Sequence, residues 1–177
     1  ALCMSERTPV FECACHCGAV RVASYVKPVL TAYCHCIECR TTREVPLYGV
    51  LPIKDWQDGG IGFLAGEDKV FEFQMPKGIQ MKKWVCKTCN QCVFTSNKFD
   101  FRVFSLDGVR RTNGGKLPEE FKPAMHLFYS EKVVGPMQDG LPKFFDLPAP
   151  LGSGRMMDDS GNLKQDAQQP DDIDTCG

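Results

Sequence analysis

Cys34-His-Cys36-Ile-Glu-Cys39 places three thiols within six residues, close enough for one metal ion to bind all three. Two further clusters lie on either side of it in the chain, Cys13-Ala-Cys15-His-Cys17 and Cys86-Lys-Thr-Cys89-Asn-Gln-Cys92. The sequence has 11 cysteines, and an odd number at gaps of two and three residues is not typical of a disulfide framework. We therefore predict that the clustered cysteines bind metal in a reducing compartment.

The first and third clusters predict one closed zinc site. Residues i and i+2 of a strand point to the same face, so a Cys-x-Cys pair at a strand end presents two thiolates together, and a Cys-x-x-Cys turn does the same. A structural zinc takes four such ligands, commonly from two separated pairs. The register stays open on spacing alone, because Cys13 with Cys15 and Cys89 with Cys92 are rival pairs at the same spacings.

The middle cluster predicts a different kind of site. Cys34, Cys36 and Cys39 supply three thiolates with no obvious fourth ligand beside them. Three protein ligands and one open position are typical of a catalytic zinc, because the open position takes water or substrate. The alternative is a second structural site that Cys92 or Cys13 completes.

The body of the chain predicts a mainly β fold. Six segments rich in Val, Phe, Tyr and Leu are expected as strands: Ala19–Tyr25, Val29–Cys34, Val45–Ile53, Val70–Met75, Phe101–Leu106 and Ala124–Ser130. In one of them Phe71, Phe73 and Met75 share a face at period two. Helical patterns do not exceed a turn or two, around Asp55–Gln57 and Pro118–Phe121.

Composition and charge limit the functional classes. We expect a leader over residues 1–10, a zinc-binding domain over 11–150 and an acidic, Gly-, Ser- and Asp-rich tail over 151–177. No apolar run reaches the length of a membrane span, and the start lacks a signal-peptide pattern, so a cytoplasmic protein is expected. The net charge of −1 makes a nucleic-acid partner unlikely. The sequence does not predict an oligomeric state.

Three ordered motifs resemble one family, the glutathione-dependent formaldehyde-activating enzymes and centromere protein V. They are Cys15-His-Cys17-Gly-Ala-Val-Arg21, Cys34-His-Cys36-Ile-Glu-Cys39-Arg40 and Trp84-Val-Cys86-Lys-Thr-Cys89. The resemblance covers about Cys13 to Phe145. It implies a β-tent fold, in which small sheets fold around cysteine-bound zinc, and glutathione as cosubstrate.

The same resemblance implies the roles of individual residues. Cys15, Cys17, Cys86 and Cys89 would bind a structural zinc, and Cys34, Cys36 and Cys39 would form the catalytic site with a second zinc. Arg40 is the candidate cofactor-binding residue, as a counter-charge to the thiolates, or else a solvated side chain. The chain departs from the family at Asn90, where Gly is usual. It also departs at the second residue after the middle cluster, which is commonly Arg or Lys, because here Thr41-Thr42 follow Arg40.

For the other cysteines and histidines we expect structural roles. Cys13 and Cys92 are expected to be small buried hydrophobic side chains. His16 and His35 alternate with ligands, so they should face away from the metal as partly buried histidines. His126 is expected to be a hydrogen-bonded core histidine.

The predicted function is that of a zinc-dependent carbon–sulfur lyase-type enzyme. Its substrate would be the adduct of a thiol, glutathione by resemblance, with a small electrophile such as an aldehyde. Zinc supports this chemistry because metal-coordinated sulfur is deprotonated. The alternative is a non-catalytic zinc module that binds protein or nucleic acid. A third reading is a redox dithiol switch made of Cys36 and Cys39.

Overall fold

Strands dominate the computed structural model, which describes residues 8–41, 48–52, 60–75, 82–96 and 101–165. Within those ranges the chain forms twelve strands and two short α-helices, together with three 3-10 turns. The predicted mainly β fold is confirmed. The strands lie in two sheets, of three and nine strands.

The smaller sheet carries the first cysteine cluster. It consists of β1 (Phe11–Ala14), β2 (Arg21–Ser24) and β5 (Ile61–Ala65), in the order β1-β2-β5 and all antiparallel. Strands β1 and β2 form a hairpin whose connecting loop contains Cys15 and Cys17. Gly18 in that loop has a φ of 72°, a left-handed conformation that glycine adopts without steric cost.

The larger sheet carries the other two clusters. Its order is β12-β11-β10-β3-β4-β9-β8-β7-β6. The strands are β3 (Leu30–Cys34), β4 (Tyr48–Pro52), β6 (Val70–Gln74), β7 (Lys82–Cys86), β8 (Cys92–Ser96), β9 (Phe101–Ser105), β10 (His126–Leu127), β11 (Lys143–Phe144) and β12 (Met156–Met157). The third cluster lies in the turn between β7 and β8, and the middle cluster begins where β3 ends.

An aromatic core lies between the two sheets. The Phe94 ring stacks on Trp84 with centroids 4.7 Å apart and lies 5.5 Å from Phe104. From the smaller sheet, Phe11 meets Phe104 edge-on at 5.4 Å and Phe121 at 5.1 Å. Each buried Phe contributes about 1.5–3 kcal/mol of hydrophobic stabilisation, so these contacts hold the sheets together.

Two helices complete the described elements, α1 (Ile37–Thr41) and α2 (Leu106–Thr112). Helix α2 packs on β1, where Gly108 lies directly against Cys13. Neither helix was expected from the sequence, because five and seven residues are too few to establish a 3.6-residue period.

Five of the six predicted strands correspond to β2, β3, β4, β6 and β9. The sixth, predicted over Ala124–Ser130, is shorter than expected. Only the two-residue β10 forms there, and a 3-10 turn at Tyr129–Glu131 follows it. Of the two predicted helical turns, Glu119–Phe121 forms a 3-10 turn and Asp55–Gln57 lies outside the described residues. Phe71 and Phe73 are exposed because β6 is the edge of the sheet.

The C-terminal part of the described chain packs on the larger sheet. Strand β10 pairs in parallel with both β3 and β11, and β12 pairs with β11. The predicted tail thus contributes β12 within residues 151–165, while residues 166–177 lie outside the described part. No helix among the described residues is long and apolar enough to cross a membrane.

Candidate metal centres

The hairpin loop of the small sheet meets the β7–β8 turn at a four-cysteine cluster, the core cluster. It consists of Cys15, Cys17, Cys86 and Cys89, and all four Sγ atoms lie within 4.8 Å of one another. The Sγ atom of Cys17 is 3.5 Å from that of Cys15 and 3.8 Å from that of Cys86. Sulfurs around a tetrahedral zinc, each with a Zn–S bond of about 2.3 Å, stand about 3.8 Å apart, so the spacing fits that ion.

Half of the core cluster belongs to the hydrophobic core. Cys15 and Cys86 are buried among the residues that pack between the sheets, Cys89 packs against them, and Cys17 is exposed. The turn that presents Cys89 depends on Asn90, whose φ is 56°. Asn tolerates this left-handed conformation, so the turn is retained without the usual Gly.

The electrostatics of the core cluster favour one readily ionised thiol. Burial raises the pKa of Cys15 to about 12, despite the hydrogen bond from the Val20 N–H. Burial also raises the pKa of Cys89, but hydrogen bonds from the backbone of Cys17 and Gln91 outweigh it, and the pKa falls to about 7. A divalent cation would supply the charge that lets the other thiols ionise as well.

The end of β3 and the start of α1 form a second, three-cysteine cluster. The Sγ atoms of Cys34, Cys36 and Cys39 lie within 4.8 Å of one another, and those of Cys34 and Cys36 are 3.4 Å apart. The Cys39 N–H donates to the Cys36 sulfur at 3.4 Å. In the described parts of the chain, no fourth Cys, His, Asp or Glu side chain joins this group. We call it the three-cysteine cluster.

The three-cysteine cluster lies outside the aromatic core. Its packing partners include Val103 and Phe128, whereas Phe104, the neighbour of Val103 on β9, points into the core. Successive residues of a strand face opposite sides of the sheet. The two cysteine clusters therefore pack against opposite faces of the large sheet. The three-cysteine cluster is therefore less tied to the packing that joins the two sheets.

Crowding raises the pKa of the thiols in the three-cysteine cluster. The hydrogen bond to Cys36, together with burial, raises the pKa of Cys34 to about 12. Hydrogen bonds with Cys34 and Cys36 and burial raise the pKa of Cys39 strongly. Three thiolates so close together repel one another, so a soft divalent cation such as zinc is the partner that this donor set suits.

Arg40 lies beside the three-cysteine cluster. Its Nε donates to the carbonyl oxygen of His35 at 2.9 Å, and its backbone N–H donates to the Cys36 carbonyl. The start of α1 is held from outside the helix, because the Ile37 N–H donates to the Glu131 carboxylate at 2.8 Å. The guanidinium is thus held against the backbone of His35, which lies between Cys34 and Cys36 in the chain.

The histidines occupy three different environments. His16 is exposed, so the expectation of partial burial was wrong there; its loop position leaves the ring in solvent. His35 is buried against His126, and burial, together with the charges of neighbouring groups, lowers its pKa to about 4. His126 is fully buried and hydrogen-bonded through both ring nitrogens, which confirms the expectation of a core histidine.

The remaining described cysteines lie outside both clusters. Cys13 is buried with its Sγ atom 3.7 Å from the Val93 carbonyl oxygen, and the buried Cys92 donates to the Phe94 carbonyl at 3.3 Å. The rival pairings are therefore not those that the structure brings together. No disulfide joins any of the nine cysteines in the described ranges.

The fold and the two clusters define a small, mainly β protein with cysteine sites that could hold metal ions. The family described as glutathione-dependent formaldehyde-activating enzyme matches residues 10–131, and the chain belongs to this family. The fold is also similar to a crystal structure of a Rhodobacter sphaeroides protein, at 18% identity and a TM-score of 0.44, covering 60% of this chain and 97% of the other. No curated protein matches the chain.

The family match confirms the resemblance carried by the three cysteine motifs. It places the protein among enzymes whose chemistry depends on glutathione and a small aldehyde. The match ends at Glu131, so the part of the chain that forms β11 and β12 lies beyond it.

Proposed function

We propose that the protein makes and breaks the carbon–sulfur bond between glutathione and a small aldehyde at the three-cysteine cluster. The observation that carries the proposal is the grouping of three sulfurs within 4.8 Å with no fourth ligand among the described residues. Such a donor set leaves room for a substrate beside the ion it binds. Family membership supports the thiol and the aldehyde as reactants.

The proposed reaction balances without a redox partner. In the forward direction the thiol sulfur attacks the carbonyl carbon, a C–S bond forms, and the thiol proton ends on the former carbonyl oxygen as a hydroxyl group. The reverse direction breaks the C–S bond and returns the proton to sulfur. This is the carbon–sulfur lyase-type chemistry expected from the sequence.

Each residue of the cluster has a defined part in the proposal. Cys34, Cys36 and Cys39 would hold zinc, and zinc supplies Lewis acidity, which lowers the pKa of a nearby thiol or polarises a carbonyl group. Arg40 would bind a carboxylate of glutathione, because glutathione is an anion and the guanidinium is held at the His35 backbone, between two cysteines of the cluster. The core cluster of Cys15, Cys17, Cys86 and Cys89 would hold a structural zinc.

The test is the exchange rate between glutathione, formaldehyde and their adduct, measured by NMR exchange spectroscopy with and without the protein. The zinc-loaded protein should accelerate exchange, and Cys36→Ser should lose the acceleration. Cys92→Ala is the matched control, since it removes a buried thiol outside both clusters and should retain activity. Equal rates with and without the wild-type protein would reject the proposal and favour the non-catalytic zinc module.

A further inference from the structure

A network of hydrogen bonds, buried at its two histidines, runs from the three-cysteine cluster to the segment beyond the family match. His35 Nε2 lies 2.9 Å from His126 Nδ1, and His126 Nε2 lies 2.7 Å from the Asp139 carboxylate. His35 is 5% exposed and His126 is fully buried. These hydrogen bonds connect His35, which lies between two of the cluster's cysteines, with Asp139, which is 104 positions further along the sequence.

The carboxylate sets the direction of the hydrogen bond between Asp139 and His126. An ionised carboxylate only accepts, so His126 Nε2 must carry the proton that it donates to Asp139. The other ring nitrogen of His126, Nδ1, shares a hydrogen bond with His35 Nε2. Asp139 thus fixes the orientation of the His126 ring and, through it, that of the His35 ring.

Asp139 is itself held in place by a buried cation. Lys143 Nζ donates to Asp139 at 3.0 Å, and it also pairs with Asp159 at 2.9 Å. The Leu141 N–H donates to the same Asp139 oxygen at 3.1 Å. Because Lys143 is 2% exposed and lies on β11, this ion pair anchors the partly exposed Asp139 carboxylate to the sheet.

The His35 ring has little freedom to move. His126 stacks on it with centroids 5.2 Å apart, and Tyr129 meets it edge-on at 5.3 Å. The His35 backbone N–H donates to the Leu127 carbonyl on β10. Since Cys34 and Cys36 flank His35 in the chain, fixing this ring and its backbone fixes the direction in which both thiols project.

We propose that Asp139 is a positioning residue for the three-cysteine cluster, acting through His126 and His35. Outer partners that orient metal ligands are typically worth 10- to 100-fold in metal affinity or activity, and Asp139 occupies that place in this chain. Its effect on turnover rests on the proposed function, whereas its effects on metal affinity and on the histidine ring nitrogens do not.

The experiment compares Asp139→Ala with Asp146→Ala in the full chain. Asp146 is the matched control because its carboxylate lies in the same segment but accepts from Ser153 and from the Leu147 N–H instead of a histidine. Asp139→Asn is the second variant, which keeps the side-chain volume and one acceptor oxygen if the Ala variant does not fold.

Cobalt(II) binding and histidine nitrogen chemical shifts are the readouts that do not require activity. We expect Asp139→Ala to weaken the weaker class of cobalt site by about 10- to 100-fold and to leave the tighter class unchanged. The chemical shifts of the His126 ring nitrogens, and through them those of His35, should change because His126 Nε2 loses its acceptor. In the turnover assay, kcat should fall while the KM for glutathione changes little, and Asp139→Asn should be intermediate.

Two results would overturn the proposal. Unchanged cobalt affinity and unchanged ring-nitrogen chemical shifts in Asp139→Ala would show that the carboxylate does not act on the cluster. An equal loss in Asp146→Ala would show a general effect of weakening the segment. If the wild-type protein lacks turnover but the cobalt and chemical-shift changes occur, the proposed function fails and the positioning role of Asp139 stands.

Discussion

At the scale of single residues, the two cysteine clusters differ in what surrounds them. Cys86 is fully buried in the core between the sheets, whereas Cys36 packs with Val103 on the opposite face of the large sheet. Loss of a ligand in the core cluster removes both a metal bond and a part of the core. Loss of a ligand in the three-cysteine cluster should impair metal binding and turnover more than it impairs folding.

We therefore expect opposite outcomes from Cys36→Ser and Cys86→Ser. Cys36→Ser should lower turnover by more than about 100-fold with a near-normal unfolding transition, since a direct ligand matters more than an outer partner. Cys86→Ser should yield a largely unfolded protein. Circular dichroism melts and the exchange assay measure both effects. If both variants unfold alike, the distinction between the two clusters is wrong.

Arg40 should control affinity for the thiol substrate rather than the rate of bond formation. Arg40→Gln is expected to raise the KM for glutathione by roughly tenfold, the value of one charge-assisted hydrogen bond, with a smaller change in kcat. Arg40→Lys keeps the charge and should recover part of the affinity. Steady-state kinetics on the three proteins decide this. An unchanged KM in Arg40→Gln would show that Arg40 does not bind glutathione and contacts only the His35 carbonyl and solvent.

Sequence spacing predicted the residues of both clusters because metal ligands must lie close together wherever the fold places them. Spacing could not choose between Cys13 and Cys17, or between Cys86 and Cys92, and here the resemblance supplied the choice that the structure shows. The link from His35 to Asp139 was not predicted. Those residues lie 104 positions apart, and no local pattern relates them.

At the scale of secondary-structure elements, the contact of α2 with β1 is unusually close. A Cβ atom added at Gly108 would lie 2.4 Å from the Cys13 sulfur and 3.1 Å from the Ala14 carbonyl oxygen. Cys13 is 1% exposed and has no room to withdraw. The small residue at position 108 therefore permits the helix to approach the strand.

Gly108→Ala should reduce the free energy of unfolding by about 1–3 kcal/mol, the usual cost of overpacking. Gly135→Ala is the control, because a Cβ atom there meets nothing within 4 Å and no left-handed φ is required. Adding Cys13→Ala to Gly108→Ala should restore part of the loss. Urea unfolding curves measure all three. A Gly108→Ala variant as stable as the wild type would show that α2 shifts freely on β1.

The sequence was a better guide to long strands than to other elements. Five predicted strands correspond to β2, β3, β4, β6 and β9. Strand β8 was missed because all five of its residues are buried, which removes the alternation by which a strand is recognised. Strands β11 and β12 have two residues each, too few for any period. They exist because they extend the sheet beyond β10.

At the scale of the whole molecule, the C-terminal segment links stability to acid pH. Burial raises the pKa of Asp139, but hydrogen bonds from His126 and Lys143 outweigh it and hold the pKa well below its ordinary value of 3.8. A carboxyl whose pKa is lowered by folding stabilises the protein above the unfolded value. That stabilisation is lost as the pH falls through the folded value.

The expected result is a wild-type stability advantage over Asp139→Asn that is full above about pH 5 and shrinks as the pH is lowered below about 4. The difference between the two proteins is the quantity to follow, because acid also protonates cysteine ligands and other carboxyls in both. Thermal melts from pH 3 to 7 supply it. A difference that stays constant over this range would show that the Asp139 pKa is the same folded and unfolded.

Zinc per chain, before and after mild dialysis against EDTA, tests the central claim most directly. Half of the core cluster belongs to the hydrophobic core and the three-cysteine cluster lies outside it, so we predict two zinc ions, of which one is readily lost. Adding zinc back should restore the second ion and the catalysed exchange together. One tightly held ion, with no second ion bound after zinc is added back, would contradict an open catalytic site beside a closed structural one.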